Sequence, residues 1–247
     1  MKSGRPVTKC QAKATSQGST LTLYGDIGAG WFGDGITAES VKAELEQCRG
    51  DLTVYISSAG GSVFEGLAIH SQLKRYAGGK VTCVVDGLAA SIASVIALAG
   101  SRTEMSAASL MMIHEAQTIC MGNAAELRKC ADDLDAVTGT IRGVYTRKSG
   151  KSDAKVAEMM AAETWLDAED CVKQGFADAV VADDEPDGDG PSARLVDTYR
   201  NTPAALRREP QSVAVARMAM QLQASKLRRS PASGAPRPAG TTPQRSK

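Results

Sequence analysis

The sequence predicts an α/β protein built on a mainly parallel sheet covered by helices. Three observations carry that reading. Runs of β-branched and aliphatic residues alternate with segments of helical periodicity between residues 19 and 181, the order a parallel covered sheet requires. Glycines punctuate the joins, at Gly60-Gly61 between strand and helix and at Gly78-Gly79 and Gly175 after helices. Hydrophobic residues make up 43% of the 247 positions, enough for one large core.

Taken in order, "STLTLYGDIG" (19–28) is β-rich and partly alternating and reads as a strand. "TAESVKAELEQC" (37–48) has Val41, Leu45 and Cys48 at helical spacing with Thr37 as N-cap. "LTVYIS" (52–57) is a second strand, and "SAGGSVFEGLAIHSQLKRY" (58–76) a glycine turn followed by a helix. "KVTCVVDG" (80–87) is a third strand, leading into a short helix that contains Ser91, and "TEM" and "SLMMIHE" form a strand-like pair. "NAAELRKCADDLDAVTGTIRGVYTRKSG" (123–150) opens on an N-x-x-E capping box. It carries Leu127, Cys130, Leu134, Val137, Ile141 and Val144 at steps of three and four, a long amphipathic helix with one apolar stripe. Helices at 152–160 and 167–175 and a strand at 176–181 complete the body.

Charge divides the chain. Residues 1–182 hold 18 Lys/Arg against 21 Asp/Glu, whereas 183–247 hold 11 against 7, five of the seven acids lying in "DDEPDGD". Three regions follow: an N-terminal arm at 1–18 read as flexible, a folded body at 19–182, and a linker with a basic, mostly disordered tail at 183–247, which includes a possible helix at 212–229. The six cysteines are scattered without a C-x-x-C pair and read as small buried hydrophobes in a reducing compartment. Two distant histidines, His70 and His114, give no zinc pattern. The start lacks a signal-peptide core, and the longest apolar run, 87–100, falls short of the ~20 residues a membrane span needs. The expectation is a cytoplasmic protein with no membrane partner, no metal and no cofactor.

The candidate chemistry gathers around "DGLAASIASVIALAG" (86–100). Ser91 opens a helix directly after a strand, where first-turn amides are unpaired and carry the positive dipole end. A bland alternative is a helix serine bonded back to a carbonyl. "SSAGGSV" (57–63) places Gly60 and Gly61 after the preceding strand, where side-chain-free amides, together with the Ile92 N–H, suit an oxyanion hole. His114 ends the apolar run "SLMMIH" and suits a general base for the Ser91 hydroxyl. His70, mid-helix, reads as structural, and Asp86, at a strand end before Gly87, reads as a turn residue.

These segments resemble the proteolytic subunit of the Clp protease, and in particular the shorter Clp-like head maturation proteases of tailed phages and prophages. The resemblance spans about residues 19–182 and rests on "YISSAGGSVFEGLAIHSQLKRY", "VVDGLAASIASVIALAGS", "MMIHEA" and "AAETWLDAEDCVKQGFADAVV", in that order. It implies a fold of repeated ββα units with a long protruding helix, and a serine endopeptidase acting on polypeptides. Ser91 would be the nucleophile, following Gly87-Leu88-Ala89-Ala90, and His114 the base. The third triad position aligns with Glu163, where the cellular enzymes carry aspartate, and Asp167 competes for the role unless it only caps the 167–174 helix. Ser57, Ser58 and Ala59 replace the Asn-Ser-Pro common before the glycine pair, a change that leaves backbone donors intact. The resemblance further implies a homo-oligomer of stacked rings joined through the 123–148 helix, and a role in prohead or capsid maturation with capsid or scaffold proteins as partners. Dependence on an unfoldase ATPase does not follow for phage-type relatives.

Three other readings compete. A crotonase-like acyl-CoA enzyme would use Gly60-Gly61 with Glu115 as acid or base, but has no use for a serine at a helix start beside a histidine. A catalytically inactive structural ring subunit needs none of the Ser/His/acid set. A signal-peptide-peptidase-type enzyme replaces the histidine with lysine, which the retained His114 disfavours. The basic tail, with Tyr199 its one aromatic residue, is poorly equipped for base stacking, so no specific nucleic-acid partner is expected. Because every triad candidate precedes residue 182, the tail reads as separate from catalysis, either unselected or a tether to an assembly partner.

Overall fold

The computed structural model describes residues 8–29, 35–182 and 199–203. Among them, strands and helices alternate as an α/β fold, with one sheet of eight strands. The strands are β1 (Lys9–Thr15), β2 (Gly18–Tyr24), β3 (Asp51–Ser58), β4 (Val81–Ala90), β5 (Arg102–Ser106), β6 (Leu110–Ile113), β7 (Thr164–Asp167) and β8 (Ala179–Val181). The helices are α1 (Ala38–Leu45), α2 (Val63–Lys74), α3 (Ile92–Ala97), α4 (Ala124–Ser149), α5 (Asp153–Ala161) and α6 (Ala168–Lys173). The main path runs β1-β2-β3-β4-β5-β8, parallel from β2 onward, with β1 antiparallel at the edge.

β4 changes neighbours along its length, and that change builds the site. Its first half, Thr82–Val85, pairs with β5, and its second half, Leu88–Ala90, pairs with β6. The switch falls at Asp86-Gly87, opposite a register shift between Ile56 and Ser58 in β3. β6 in turn pairs antiparallel with β7.

Helices cover one face of the main sheet. Along β2 buried and half-buried residues alternate: Leu21 and Leu23 join the core with Val54, Ile56, Ile92 and Ile96. Each such side chain contributes about 1.5–3 kcal/mol by leaving water. The opposite face carries Thr20, Thr22, Thr53 and Tyr55 around an open cavity of about 600 Å³. The covered sheet that the sequence predicts is covered on one side over β2 and β3, the half-solvated arrangement that an alternating pattern produces.

α4 has 26 residues, so it is ~39 Å long at 1.5 Å per residue. Asn123 and Glu126 form the expected capping box, and Gly150 ends the helix in the left-handed region at φ 68°. Its buried residues, Thr138, Ile141, Val144 and Tyr145, all lie in the second half. The first half stands clear of the body, with Leu127 45% exposed.

Three differences from the sequence reading concern edges. Residues 9–15, read as part of a flexible arm, form β1 through a tight turn at Ser16-Gln17. α1 secures that edge strand, because the Ala12 amide donates to Glu44 Oε2 at 2.6 Å. β7 is a strand the sequence reading omits, and the last strand shortens to Ala179–Val181. Tyr199–Pro203 belong to the same compact unit as the body rather than to a separate tail. The helix expected at 212–229 lies outside the described residues. The cysteines are free thiols, with Cys48, Cys83 and Cys171 buried as expected but Cys120 exposed. Among the described residues no helix is long and apolar enough to cross a membrane.

Candidate active site

Strand register brings the three sequence-selected residues together. Ala90 of β4 pairs with Met112 of β6, and Ile113 of β6 pairs with Thr164 of β7. Ser91 and His114 are the residues that leave β4 and β6, and Glu163 is the residue that enters β7, so the antiparallel rung sets Glu163 across from His114. The Ser91 amide donates to the Met112 carbonyl at 3.0 Å, pinning the end of β4 to β6.

The backbone at this point is strained. Ser91 has φ 55° and ψ −129°, and Glu163 has φ 51°; among the described residues they are the two non-glycine positions with positive φ. Each costs of order 1–3 kcal/mol, and such strain persists where the surroundings over-determine it. Ser91 sits at the N-cap of α3 yet makes no capping bond with its side chain. Its hydroxyl lies 2.7 Å from His114 Nε2 instead. The back-bonding role of a helix serine falls to Ser94, whose Oγ donates to the Ser91 carbonyl at 2.6 Å and lies 2.7 Å from the Tyr145 hydroxyl.

His114 is 7% exposed. Burial lowers its pKa below the usual histidine value; the Glu163 carboxylate opposes that shift and Arg200 adds to it. A neutral imidazole is the form that accepts a proton from a hydroxyl. Among the described residues its Nδ1 has no hydrogen-bond partner, although it is buried. Glu163, 2% exposed, spends its carboxylate elsewhere. Oε2 accepts from the Arg200 amide at 2.9 Å, while Oε1 accepts from the Asn201 amide at 2.5 Å and from Trp165 Nε1 at 3.4 Å. Asp167, the competing acid, accepts from the Asp170 amide at 2.8 Å and is the N-cap of α6.

The glycine pair divides its labour. At Gly60 (φ 97°) a Cβ would sit 2.8 Å from both the Ala90 carbonyl oxygen and Ser91 Cβ, so the turn packs directly on the serine. The expectation that the Gly60 amide serves an oxyanion meets a competing bond, because that N–H donates to Ser58 Oγ at 3.1 Å. Gly61 (φ 141°) instead lines a cavity of about 300 Å³ with Ser91, Ile92, His114, Tyr145 and Tyr199. Ile92 is the first residue of α3, where the amide has no intrahelical acceptor.

Other candidates lie away from this cavity. Glu115 is exposed, leaving the crotonase-type pairing with Gly60-Gly61 without a buried acid. Asp86 is within β4 rather than at a turn, and accepts from the Tyr24 hydroxyl and from Ser106 Oγ at 3.3 Å. His70 lies on α2, where burial first and then Lys74 and Arg147 lower its pKa to about 4. Tyr199 is the site residue that sequence reasoning placed elsewhere. Its ring meets His114 edge-to-face at 5.2 Å and Trp165 at 6.1 Å. No pattern around it signals this, since a lone tyrosine in a Pro/Gly-rich stretch carries no periodicity.

The family model described as Clp protease matches residues 31–184. A protein named ATP-dependent Clp protease proteolytic subunit from Bacteroides fragilis is 29% identical over 155 residues, covering 60% of this chain and 74% of its own length. The protein of that name from Porphyromonas gingivalis is 28% identical over 155 residues, covering 60% of this chain and 69% of its own. Its counterpart from Chlorella vulgaris is 30% identical over 140 residues, covering 56% and 69%.

Proposed function

This chain belongs to the Clp protease family, and on that footing we propose that it is a serine endopeptidase whose catalytic groups are Ser91, His114 and Glu163. The observation that carries the proposal is the 2.7 Å contact between Ser91 Oγ and His114 Nε2, made by a serine held at φ 55° and not used as a helix cap. In this mechanism Ser91 Oγ attacks the scissile carbonyl carbon while His114 Nε2 takes the hydroxyl proton. The developing oxyanion is met by the amides of Gly61 and Ile92. His114 then delivers its proton to the leaving amine, and water, deprotonated by the same imidazole, hydrolyses the acyl-enzyme. Glu163 orients the imidazole through Nδ1 and stabilises its charged form.

The proposed partners are a polypeptide substrate and further copies of this chain. The exposed first half of α4 supports assembly through that helix, and the setting we propose, prohead maturation, rests on the resemblance of the sequence motifs to phage-type Clp proteases. Co-expression with capsid and scaffold proteins, read by their processing, tests that setting.

The activity itself is tested with a fluorogenic peptide amide. Ser91→Ala and His114→Ala, each with a native circular-dichroism spectrum, should lower turnover by about 10⁴-fold or more. Turnover at the wild-type rate in Ser91→Ala would refute the assignment.

A further inference from the structure

We propose that Tyr199–Thr202 form an intramolecular plug: the segment fills the cleft beside Ser91 and holds Glu163 off His114, so that the folded chain is self-inhibited until the segment leaves. The inference rests on the serine-peptidase reading of the same site.

Occupancy is the first argument. Tyr199 lines the cavity that contains Ser91 and His114. Its ring meets both His114 and Trp165 edge-to-face, and its hydroxyl donates to the carbonyl of Ala59, the residue just before Gly60-Gly61. Burial pushes the Tyr199 phenol up to about 12, with Ser91 as a hydrogen-bonding neighbour that holds it back. An extended substrate running past Ser91 would need the space this ring takes.

Competition for the acid is the second. Both Glu163 oxygens accept backbone amides of the segment, from Arg200 and Asn201, while His114 Nδ1 is buried without a partner among the described residues. The two buried groups interact electrostatically, and a buried ring nitrogen is ordinarily hydrogen-bonded. The segment supplies two N–H donors in place of one and removes the imidazole's orienting group.

The segment is built as a plug rather than as a bond awaiting cleavage. Its Tyr199 carbonyl accepts from Thr202 Oγ1 at 3.1 Å and so is turned into the segment's own turn. Asn201 Nδ2 donates to the Ala162 carbonyl at 2.8 Å, and Thr202 is itself buried. The segment also lies beyond residues 31–184, the stretch the Clp protease family model matches.

The test uses the whole 247-residue chain, assayed by initial rates on a short fluorogenic peptide amide. Tyr199→Ala removes the ring, and Arg200→Pro removes one of the two amides that hold Glu163. Each should raise kcat/KM about tenfold or more, the factor expected when the competent fraction rises from roughly a tenth to nearly all. The acid limb of the rate profile should move to higher pH in both variants, because His114 becomes less buried and gains Glu163, while Tyr199, Arg200 and Ser91 are the other groups that face it. Rates at or below wild type in both variants, with native circular dichroism and with wild-type turnover still lost in Ser91→Ala, would overturn the plug and leave the peptidase reading standing. Absence of Ser91-dependent turnover in wild type and in both variants would overturn the two together.

Discussion

The Tyr145 hydroxyl, from the buried half of α4, lies 2.7 Å from Ser94 Oγ, one turn beyond the proposed nucleophile. Ser94 in turn holds the Ser91 carbonyl, so the long helix and the strained serine are joined by a two-bond chain through buried side chains. Tyr145→Phe keeps the ring and breaks the chain. The expected result is a loss of ~1 kcal/mol in urea unfolding, with kcat several-fold lower and KM little changed.

Gly60→Ala should be far more damaging than its size suggests. The new methyl meets the Ala90 carbonyl and Ser91 Cβ at 2.8 Å, both fixed by strand pairing, and the backbone there has φ 97°. Strain and displacement together should cost ~2–4 kcal/mol. Turnover should vanish before the fold does, since the first atoms displaced belong to Ser91. Urea melts alongside rate measurements will show whether a folded, inactive protein results.

The exposed half of α4 bears on assembly. Leu134 and Val137 are half-buried in the single chain, and Leu127 is exposed, so the apolar stripe runs past the part of the body that covers it. Glutamate at both 134 and 137 should convert an oligomer to monomers in mass photometry, with peptidase activity lost as assembly is lost. An active monomeric wild type would contradict the role of this helix in assembly.

Acid should destabilise the fold partly through His70. Its folded-state pKa is lowered from 6.5 to about 4, so between those values the unfolded ring binds a proton that the folded ring does not. The sign follows from linkage: stability is fully present above pH 6.5 and is lost as pH falls toward 4. The ring is partly open to solvent, so screening leaves ~1 kcal/mol. Equilibrium unfolding of His70→Gln across this range should show a shallower slope, with His114, also depressed, supplying part of what remains.

Strong local signals made most of this structure legible. Thr37 and Asn123 cap the helices expected of them, and Gly150 and Gly175 take up left-handed conformations after α4 and α6. Ser91 and His114 were readable because each closes or follows an apolar strand, which fixes where it stands at the sheet end. β1 was not, because Cys10, Ala12 and Ala14 alternate with too little β preference to outweigh the lysines between them. β7 was not, because four residues form a strand only through β6, a long-range pairing with no local trace. Asp167 competes with Glu163 in the sequence because capping and catalysis ask for the same side chain; in the fold Asp167 caps α6. Tyr199 illustrates the limit most clearly: its place depends wholly on tertiary contacts.

In the proposed mechanism Ser91 is an activated nucleophile, a property that labelling with a fluorophosphonate probe reads out. Wild type and the Tyr199→Ala, Ser91→Ala and His114→Ala variants of the 247-residue chain are exposed to the probe, and the adduct is located by peptide mass mapping. A single adduct on Ser91 is expected in wild type, with faster labelling in Tyr199→Ala and none at that position in Ser91→Ala or His114→Ala. No adduct in either wild type or Tyr199→Ala, or an adduct of equal yield in Ser91→Ala, would contradict that mechanism.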